Sequence, residues 1–367
     1  MKKIVIVAGA RPNFMKIAPV LRELRGRYAD SAVPVLVHTG QHYDDNMSGS
    51  FFSALGIPEP DYNMEVGSGT HADQTAHIMT AFEDVCEAER PDTVVVVGDV
   101  NSTVAAGLVA KKMHIQLAHI EAGLRSGDRT MPEEINRLAT DAITDLFFVT
   151  EENGIANLRR EGHDEDLIHF VGHVMIDNLL YQRDRLSASG PSPRARDLAR
   201  ALPERYACLT LHRPSNVDTP ATLERIVDTL VDISRDLPIL FPCHPRTRAR
   251  LESSGLLERL DRAITITEPL GYDDFLYLWQ SAGVVLTDSG GMQEETTALG
   301  IPCVTLRENT ERPVTIAVGT NTLVGTDPDA IHRAISQVSS GTYKTGRIPD
   351  LWDGKASERI CRVLVGR

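Results

Sequence analysis

The sequence predicts an α/β protein built from two doubly wound domains. Three observations support this prediction: the length of the chain, the short β-branched runs that recur along it, and the helical stretches between many of those runs. With 367 residues, the chain is long enough to bury two hydrophobic cores. Nearly continuous apolar runs are typical of parallel strands that helices cover on both faces.

The first half of the chain alternates strand-like and helical segments. The predicted strands are "KIVIVAG", "VPVLVHTG", "DTVVVVGDV", "IQLAHIEAG", "LFFVT" and "IHFVGH". The helical stretches include "FMKIAPVLRELRGRY" and "TAHIMTAFEDVCEAE". Alternation of this kind predicts a parallel sheet with crossover helices. We place this first domain at residues 1–175.

The second half repeats the architecture without repeating the sequence. Its predicted strands are "YACLTLHR", "PILFPCHP", "AITITEP", "GVVLTDSGG", "IPCVTLRE" and "TLVGTD", and "DDFLYLWQSAG" is helical. We place the second domain at residues 176–355. A last helix is predicted within 356–367.

Composition excludes several classes of protein. The chain has 38 Lys and Arg against 51 Asp and Glu, a net charge of −13, which argues against binding to nucleic acid or to a membrane surface. No apolar run reaches transmembrane length. Its five cysteines form no C-x-x-C pair and are odd in number, which predicts reduced thiols and a cytoplasmic location. No histidines have tight metal-ligand spacing, so we expect no metal.

Polar residues follow many of the predicted strands. They include Arg11, His38, Gln41, Asp99, Glu121, His212, His244, Glu268, Asp288 and Arg307. Ligands of open α/β sheets bind beyond the carboxyl ends of the strands. Two such domains that face each other would form a central cleft lined by both sets.

The segment "TDSGGMQEE" predicts a nucleotide site in the second domain. Gly290 and Gly291 would leave backbone N–H groups open at a helix N-terminus, where an anion binds well. Arg312 could reach the same anion, and a carboxylate one turn deeper could accept hydrogen bonds from sugar hydroxyls. A diphosphate joined to a ribose has both features. The alternative is a tight turn with an acidic first helical turn, which the helix dipole favours.

The first domain is rich in carboxylates. Glu121 follows a strand that should be buried, whereas Asp99 could instead cap the next helix. In "PEEINR", Arg137 lies four residues after Glu133, so a structural ion pair is the alternative interpretation there. Carboxylates that lie close together in a site with little water shift one another's pKa values apart, and acid–base chemistry requires groups with different pKa values.

The segment "GARPNFMK" offers two cations near the start of a predicted helix. Arg11 and Lys16 could reach an anion; the alternative is a solvated basic turn. The segment is neither a dinucleotide-binding nor a Walker A motif.

Taken together, these motifs resemble one family. "GARPNFMK", "GQHYD", "GDVNST", "HIEAGLRSGD", "MPEEINR", "TLHRPSN", "HPRT", "TDSGGMQEE" and "ENTERPVT" stand in the order typical of the non-hydrolysing UDP-N-acetylglucosamine 2-epimerases. The resemblance implies two Rossmann-like domains in a GT-B-like arrangement. It also implies a homodimer, no metal or nicotinamide cofactor, a last helix that packs on the first domain, and a role in polysaccharide biosynthesis.

The resemblance implies reversible inversion at C2 of UDP-N-acetylglucosamine to give UDP-N-acetylmannosamine, through elimination of UDP to a 2-acetamidoglucal and its re-addition. The matching catalytic residues are Asp99, Glu121, Glu133 and His212. The matching nucleotide contacts are Arg11, Ser289, Gly290, Gly291, Glu295 and Arg312, with Glu295 on the ribose. Lys16 and Arg137 are supporting residues, and His244 is a further candidate for substrate binding.

Some positions depart from the family pattern. Asp44 stands where members activated by their own substrate carry a glutamine, which argues against allosteric activation. Pro214 and Ser215 replace a charged pair. Members that act on modified UDP-sugars such as diacetamido-uronic acids share most of the motifs, so that substrate class stays open. Three further functions also stay open: a retaining glycosyltransferase, a hydrolysing epimerase and a non-catalytic UDP-sugar sensor.

Overall fold

A computed structural model of the protein describes residues 1–40 and 49–366. Gln41 and Asp44 therefore lie outside the described residues. The chain divides into two compact units: unit 1 comprises Met1–Leu180 and Asp350–Arg367, and unit 2 comprises Tyr181–Pro349.

Each unit contains a sheet in which every described strand pair is parallel. The strands of unit 1 are β1 (Lys2–Ala8), β2 (Ala32–His38), β3 (Tyr62–Asn63), β4 (Thr93–Val97), β5 (Gln116–Ile120), β6 (Leu146–Val149) and β7 (Ile168–Phe170). Those of unit 2 are β8 (Ala207–Thr210), β9 (Ile239–Pro242), β10 (Thr265–Thr267), β11 (Val284–Thr287), β12 (Cys303–Thr305) and β13 (Asn321–Leu323). All the strands predicted from the sequence are confirmed. Among the strands of residues 1–40 and 49–366, the prediction missed β3, whose two residues are too few to give a pattern.

Helices connect the strands throughout. They are α1 (Arg11–Arg25), α2 (Gly49–Leu55), α3 (His71–Glu89), α4 (Asn101–Lys112), α5 (Pro132–Asp141), α6 (Glu152–Arg160), α7 (Val174–Ser189), α8 (Pro193–Ala201), α9 (Pro214–Val217), α10 (Pro220–Ile233), α11 (Pro245–Ser253), α12 (Leu257–Asp261), α13 (Tyr272–Trp279), α14 (Gly290–Leu299), α15 (Pro313–Ala317), α16 (Pro328–Ser339) and α17 (Ala356–Val365). A 3-10 turn spans Glu165–Leu167. Proline opens many of these helices because its fixed φ suits the first turn and its missing N–H is not needed there.

The strand order sets the position of a ligand site in each unit. Unit 1 has the order β3-β2-β1-β4-β5-β6-β7, and unit 2 has the order β10-β9-β8-β11-β12-β13. The winding direction therefore reverses between β1 and β4 in unit 1 and between β8 and β11 in unit 2. At such a point the loops after the two strands diverge and leave a crevice at the carboxyl edge of the sheet.

Each unit has its own hydrophobic core. In unit 1, α1 and α17 pack over one face of the sheet, and Ile360 and Leu364 of α17 are buried in the same cluster as Ile17 and Leu21 of α1. The carboxylate of Asp177 accepts hydrogen bonds from the first amides of α17, at Ala356 and Ser357. The C-terminal helix is thus an integral part of unit 1.

Candidate active site

Glu121 is a buried carboxylate that follows β5 directly. Its side chain is 3% exposed, and its Oε2 lies 2.5 Å from Nζ of Lys16 on α1. Its backbone has a φ of +69°, a left-handed conformation that costs a non-glycine residue about 1–3 kcal/mol. Gly98, after β4, also has a φ of +69°, and a Cβ there would lie 3.3 Å from Nζ of Lys16. The backbone at Gly98 and at Glu121 is therefore left-handed on the two sides of this ion pair.

Asp99 lies beside a second cation at the same edge of the sheet. Its carboxylate pairs with the guanidinium of Arg137, which also contacts Glu134 at 3.0 Å. Glu134 accepts hydrogen bonds from the amides of Ser126 and Gly127 at 2.9 and 3.0 Å. Burial raises the pKa of Glu134, but these hydrogen bonds and that of Arg137 outweigh it, so the pKa lies below its usual value. Arg137 thus joins the loop after β4 to α5.

The two adjacent glutamates of α5 have different surroundings. Glu134 is buried and holds the loop before the helix, whereas Glu133 is exposed in the first helical turn. The predicted i,i+4 pairing of Glu133 with Arg137 is replaced by pairing of Arg137 with Glu134, three residues away. This leaves Glu133 on the solvent side of the helix start. Arg11, at the start of α1, is also exposed.

In unit 2, Asp288 orients His212. Asp288 follows β11, is fully buried, and accepts hydrogen bonds from the amides of His212 at 2.9 Å and Arg213 at 2.8 Å. Its Oδ1 lies 3.0 Å from Nδ1 of His212, whose side chain is 46% exposed. Burial raises the pKa of Asp288, but the hydrogen bonds and charge of His212 outweigh it and hold that pKa below its usual value. The imidazole therefore has one fixed nitrogen, Nδ1, and points its other nitrogen away from Asp288.

The glycines at the start of α14 have no packing reason within the fold. A Cβ at Gly290 or Gly291 would meet no atom of the described residues within 4 Å, and neither glycine has a φ in the left-handed region. Ser289, just before them, donates its amide to Oγ1 of Thr287 at 2.9 Å. Alanine would suit the helix itself better. The packing of the fold thus gives no reason for glycine at these two positions, and a ligand could approach the helix N-terminus closely there.

The paired carboxylates of α14 have separate partners. Glu294 forms an ion pair with Arg312, and both side chains are largely buried. Glu295 accepts a hydrogen bond from the hydroxyl of Tyr272 at 2.8 Å. Burial and the charge of Glu295 both raise the pKa of Tyr272, which keeps its hydroxyl a donor. One glutamate thus fixes the predicted anion-binding arginine, and the other is held by a phenol.

His244 has a local structural contact. It is the N-cap of α11, and its Nδ1 accepts a hydrogen bond from the amide of Arg246 at 3.3 Å. Its side chain is exposed.

Several residues that support these sites carry no clear signal in the sequence. They are His119, Asp141, Tyr272 and Gln293. Gln293 is fully buried and accepts hydrogen bonds from Thr310 at 2.7 Å and Asn321 at 2.9 Å, which fixes the loop before Arg312. His119 in "HIEAG" and Gln293 in "TDSGGMQEE" lie within motifs and could have been noticed, whereas Asp141 and Tyr272 lie outside the motifs.

The described part of the chain, residues 1–40 and 49–366, contains no cluster suited to a metal ion. Within it, no group of three or more His, Cys, Asp or Glu side chains is arranged to hold one. No helix in the same ranges has the length and apolar character needed to span a membrane.

Comparison with solved structures defines the class of protein. The crystal structure of Methanocaldococcus jannaschii UDP-GlcNAc 2-epimerase in complex with UDP-GlcNAc and UDP matches with a TM-score of 0.84 and 41% identity, and the match covers 100% of both chains. The protein is therefore an α/β protein of the GT-B-like type, as the resemblance implied.

The family follows from the sequence comparisons. The family model described as UDP-N-acetylglucosamine 2-epimerase matches residues 27–365, so the chain belongs to this family of epimerases. The M. jannaschii UDP-N-acetylglucosamine 2-epimerase is 42% identical over 99% of this chain and 98% of its own length. A Pseudomonas aeruginosa UDP-2,3-diacetamido-2,3-dideoxy-D-glucuronate 2-epimerase is 40% identical over 99% of both.

Proposed function

We propose that the protein interconverts UDP-N-acetylglucosamine and UDP-N-acetylmannosamine without net hydrolysis. Membership of the family supports the class of reaction. The observation that carries the proposal within this chain is Glu121, a buried carboxylate paired with Lys16 at the switch point of unit 1. An ionised carboxylate in that position can accept a proton from a sugar carbon, provided the carbon is made acidic first.

The substrate sets the order of events. The hydrogen on C2 of an N-acetylhexosamine is not next to a carbonyl carbon, so a carboxylate cannot remove it directly. Breaking the C1–O bond to UDP builds oxocarbenium character at C1, and this acidifies C2–H. Loss of the proton then gives 2-acetamidoglucal, and UDP re-adds as a proton reaches C2 from the opposite face. The C1–O bond and the C2–H bond are both restored in the product, so no redox partner is needed.

We propose that unit 2 supplies the nucleotide contacts. The amides at Gly290 and Gly291 would stabilise the departing diphosphate, with the hydroxyl of Ser289 beside them, and loss of one such preorganised donor costs about 3–4 kcal/mol in comparable sites. His212, oriented by Asp288, would donate to the same charge. Further contacts are assigned by the family pattern: Arg312 and His244 of unit 2 on the substrate, Glu295 of unit 2 on the ribose, and Arg11 of unit 1 as an additional contact.

We propose that unit 1 supplies the proton transfers. Asp99, Glu121 and Glu133 are the candidates for acid and base, and two groups are needed because protons arrive and leave on opposite faces of C2. Lys16 places a positive charge beside Glu121, and Arg137 places one beside Asp99. Glu133, which is exposed, is the candidate whose protonation solvent can restore most directly.

A second candidate substrate is a UDP-diacetamido-uronic acid. The similarity of the chain to the P. aeruginosa relative is almost as high as that to the M. jannaschii enzyme. Both substrates would undergo the same chemistry at C2. Assays with the two UDP-sugars in parallel decide between them by the ratio of their kcat/KM values.

Further properties follow from the family pattern. We propose a cytoplasmic homodimer that needs no metal or nicotinamide cofactor and that supplies an N-acetylmannosamine donor for polysaccharide synthesis. Light scattering gives the oligomeric state, and activity after treatment with a chelator tests the metal.

The test of the proposed function is hydrogen exchange in D2O. The protein is incubated with UDP-GlcNAc alone, and proton NMR follows the C2 signal. We expect UDP-N-acetylmannosamine to appear with deuterium at C2, with the total UDP-sugar pool conserved. Free N-acetylmannosamine with UDP would indicate a hydrolysing enzyme, and product without deuterium would indicate oxidation and reduction. A complete lack of exchange would favour a glycosyltransferase or a binding protein.

A further inference from the structure

Two fully buried side chains of unit 1 lie next to the loops that carry Asp99 and Glu121 and have no part in the chemistry proposed above. His119 is on β5, and Asp141 is the last residue of α5; both are 0% exposed. Nδ1 of His119 lies 2.7 Å from Oδ1 of Asp141. Burial of two titratable groups at such short range is costly unless every polar atom has a partner, so their remaining contacts are informative.

The other nitrogen of His119 contacts a second acceptor. Nε2 lies 2.8 Å from the carbonyl oxygen of Gly98, which can only accept. Oδ2 of Asp141 accepts from the amide of Gly123 at 3.0 Å and pairs with Arg125 at 2.7 Å. Both ring nitrogens of His119 thus face acceptors, Asp141 on one side and Gly98 on the other. The ring is held between them, and Asp141 has partners at both of its oxygens.

These contacts hold the backbone on both sides of the predicted active site. Gly98 is the residue before Asp99, and Gly123 lies two residues after Glu121. Glu121 has a φ of +69°, which is strained for a non-glycine residue and persists only where the surrounding structure over-determines it. The His119–Asp141 pair thus connects the two loops that carry the carboxylates.

We propose that Asp141 and His119 are positioning residues that set the spacing of Asp99 and Glu121. The proposal rests on the proposed function. Its physical basis is the sensitivity of proton transfer to geometry: a displacement of about 1 Å in a reacting group can lower the rate about 10²-fold. The competing explanation is that the pair contributes to folding only.

A matched pair of variants separates these explanations. Asp141→Asn removes the charge that holds His119, whereas Asp177→Asn removes a buried carboxylate of the same unit that caps α17. Both changes should lower the thermal midpoint. At a temperature well below both midpoints, we expect Asp141→Asn to lower kcat about 10²-fold with KM and the Kd for UDP within about twofold of wild type. Asp177→Asn should keep the wild-type kcat.

Two further measurements cover the case in which Asp141→Asn does not fold. His119→Gln carries both of its N–H donors on a single nitrogen, whereas the two acceptors face different ring nitrogens of His119, so its kcat should fall at least about tenfold. In the wild-type protein, NMR with labelled histidine should show a slowly exchanging ring N–H of His119 hydrogen-bonded to Asp141, which is absent from His119→Gln. Absence of that hydrogen bond, or a kcat for folded Asp141→Asn equal to that of Asp177→Asn, would overturn the inference. A wild-type protein without C2 exchange would instead overturn the proposed function.

Discussion

Glu133 and Glu134 illustrate how much depends on a single position. The two residues are chemically identical and adjacent, yet one is exposed at the start of α5 and the other is buried against the amides of Ser126 and Gly127. The helical turn alone causes this difference, because successive residues of a helix point about 100° apart. Glu133 is therefore accessible for a role in catalysis, whereas Glu134 has a structural role.

Replacing each glutamate by glutamine should therefore have opposite consequences. Glu133→Gln should lower kcat about 10²-fold or more, the usual contribution of a general acid or base, with little change in stability. Glu134→Gln should lower the free energy of unfolding by about 1–3 kcal/mol at neutral pH and change kcat less than tenfold. Steady-state kinetics and urea unfolding measure both quantities.

The pH dependence of stability gives an independent check on Glu134. Its pKa is lower in the folded protein than the ordinary value of 4.5, so the unfolded chain binds the proton more readily. Its stabilisation is fully present above about pH 4.5 and is lost as the pH falls through the folded pKa. The wild type should lose stability faster than Glu134→Gln in that range. Equal slopes for the two proteins would contradict the burial argument.

Among the elements, α14 has a glycine near each end, and we propose a ligand contact for only one of them. Gly291 stands at its start and Gly300 is its C-cap, with a φ of +71°. A Cβ at either position meets no described atom within 4 Å. The two glycines therefore differ in backbone conformation and in their position at the N-terminal or C-terminal end of the helix, not in packing.

Alanine at these two positions should separate ligand binding from stability. Gly291→Ala should leave stability unchanged or raise it by up to about 1 kcal/mol, since alanine is the better helix former. It should weaken UDP binding about tenfold or more, because a methyl group would obstruct a charged hydrogen bond worth about 1.5–3 kcal/mol. Gly300→Ala should instead lower stability by about 1 kcal/mol, because its left-handed conformation suits glycine, and should leave UDP binding unchanged. Calorimetry with UDP decides; unchanged affinity in Gly291→Ala would remove the argument for a diphosphate at this helix.

At the scale of the whole molecule, the chain leaves unit 1 within α7 and returns to it at Asp350. Unit 1 is therefore discontinuous, and α17 completes its core. Each unit contains one of the two tryptophans: Trp279 is buried in unit 2 and Trp352 in unit 1. The intrinsic fluorescence of single-tryptophan variants can consequently report on each unit separately.

This arrangement allows the proposed nucleotide site to be assigned to a unit. In Trp352→Phe, the remaining Trp279 reports on unit 2, and UDP at 100 times its Kd should stabilise that unit by about 2.7 kcal/mol. In Trp279→Phe, the unfolding transition reported by Trp352 should shift less. UDP lacks the N-acetylhexosamine, which is the sugar on which unit 1 is proposed to act. Inorganic phosphate at the same concentration is the control. A shift confined to Trp352 would place the nucleotide in unit 1 and contradict the proposal.

The sequence by itself determined the fold class and most of the strands, because parallel strands covered on both faces need continuous apolar runs that are visible in one dimension. It also indicated the open helix N-terminus at Gly290 and Gly291, since glycine at that place has a local meaning. The predicted site residues were found through motifs, each a few residues long.

Only the tertiary structure decided which of these residues meet. Lys16 and Glu121 are 105 residues apart in the chain, and their contact depends on β1 and β4 being neighbours in the sheet, with β5 next to β4. The same holds for Asp141, which no motif marks and which reaches His119 and Gly123 from the far end of α5. Strand order and helix packing, which arise from the burial of whole faces, set these distances, and no local pattern encodes them.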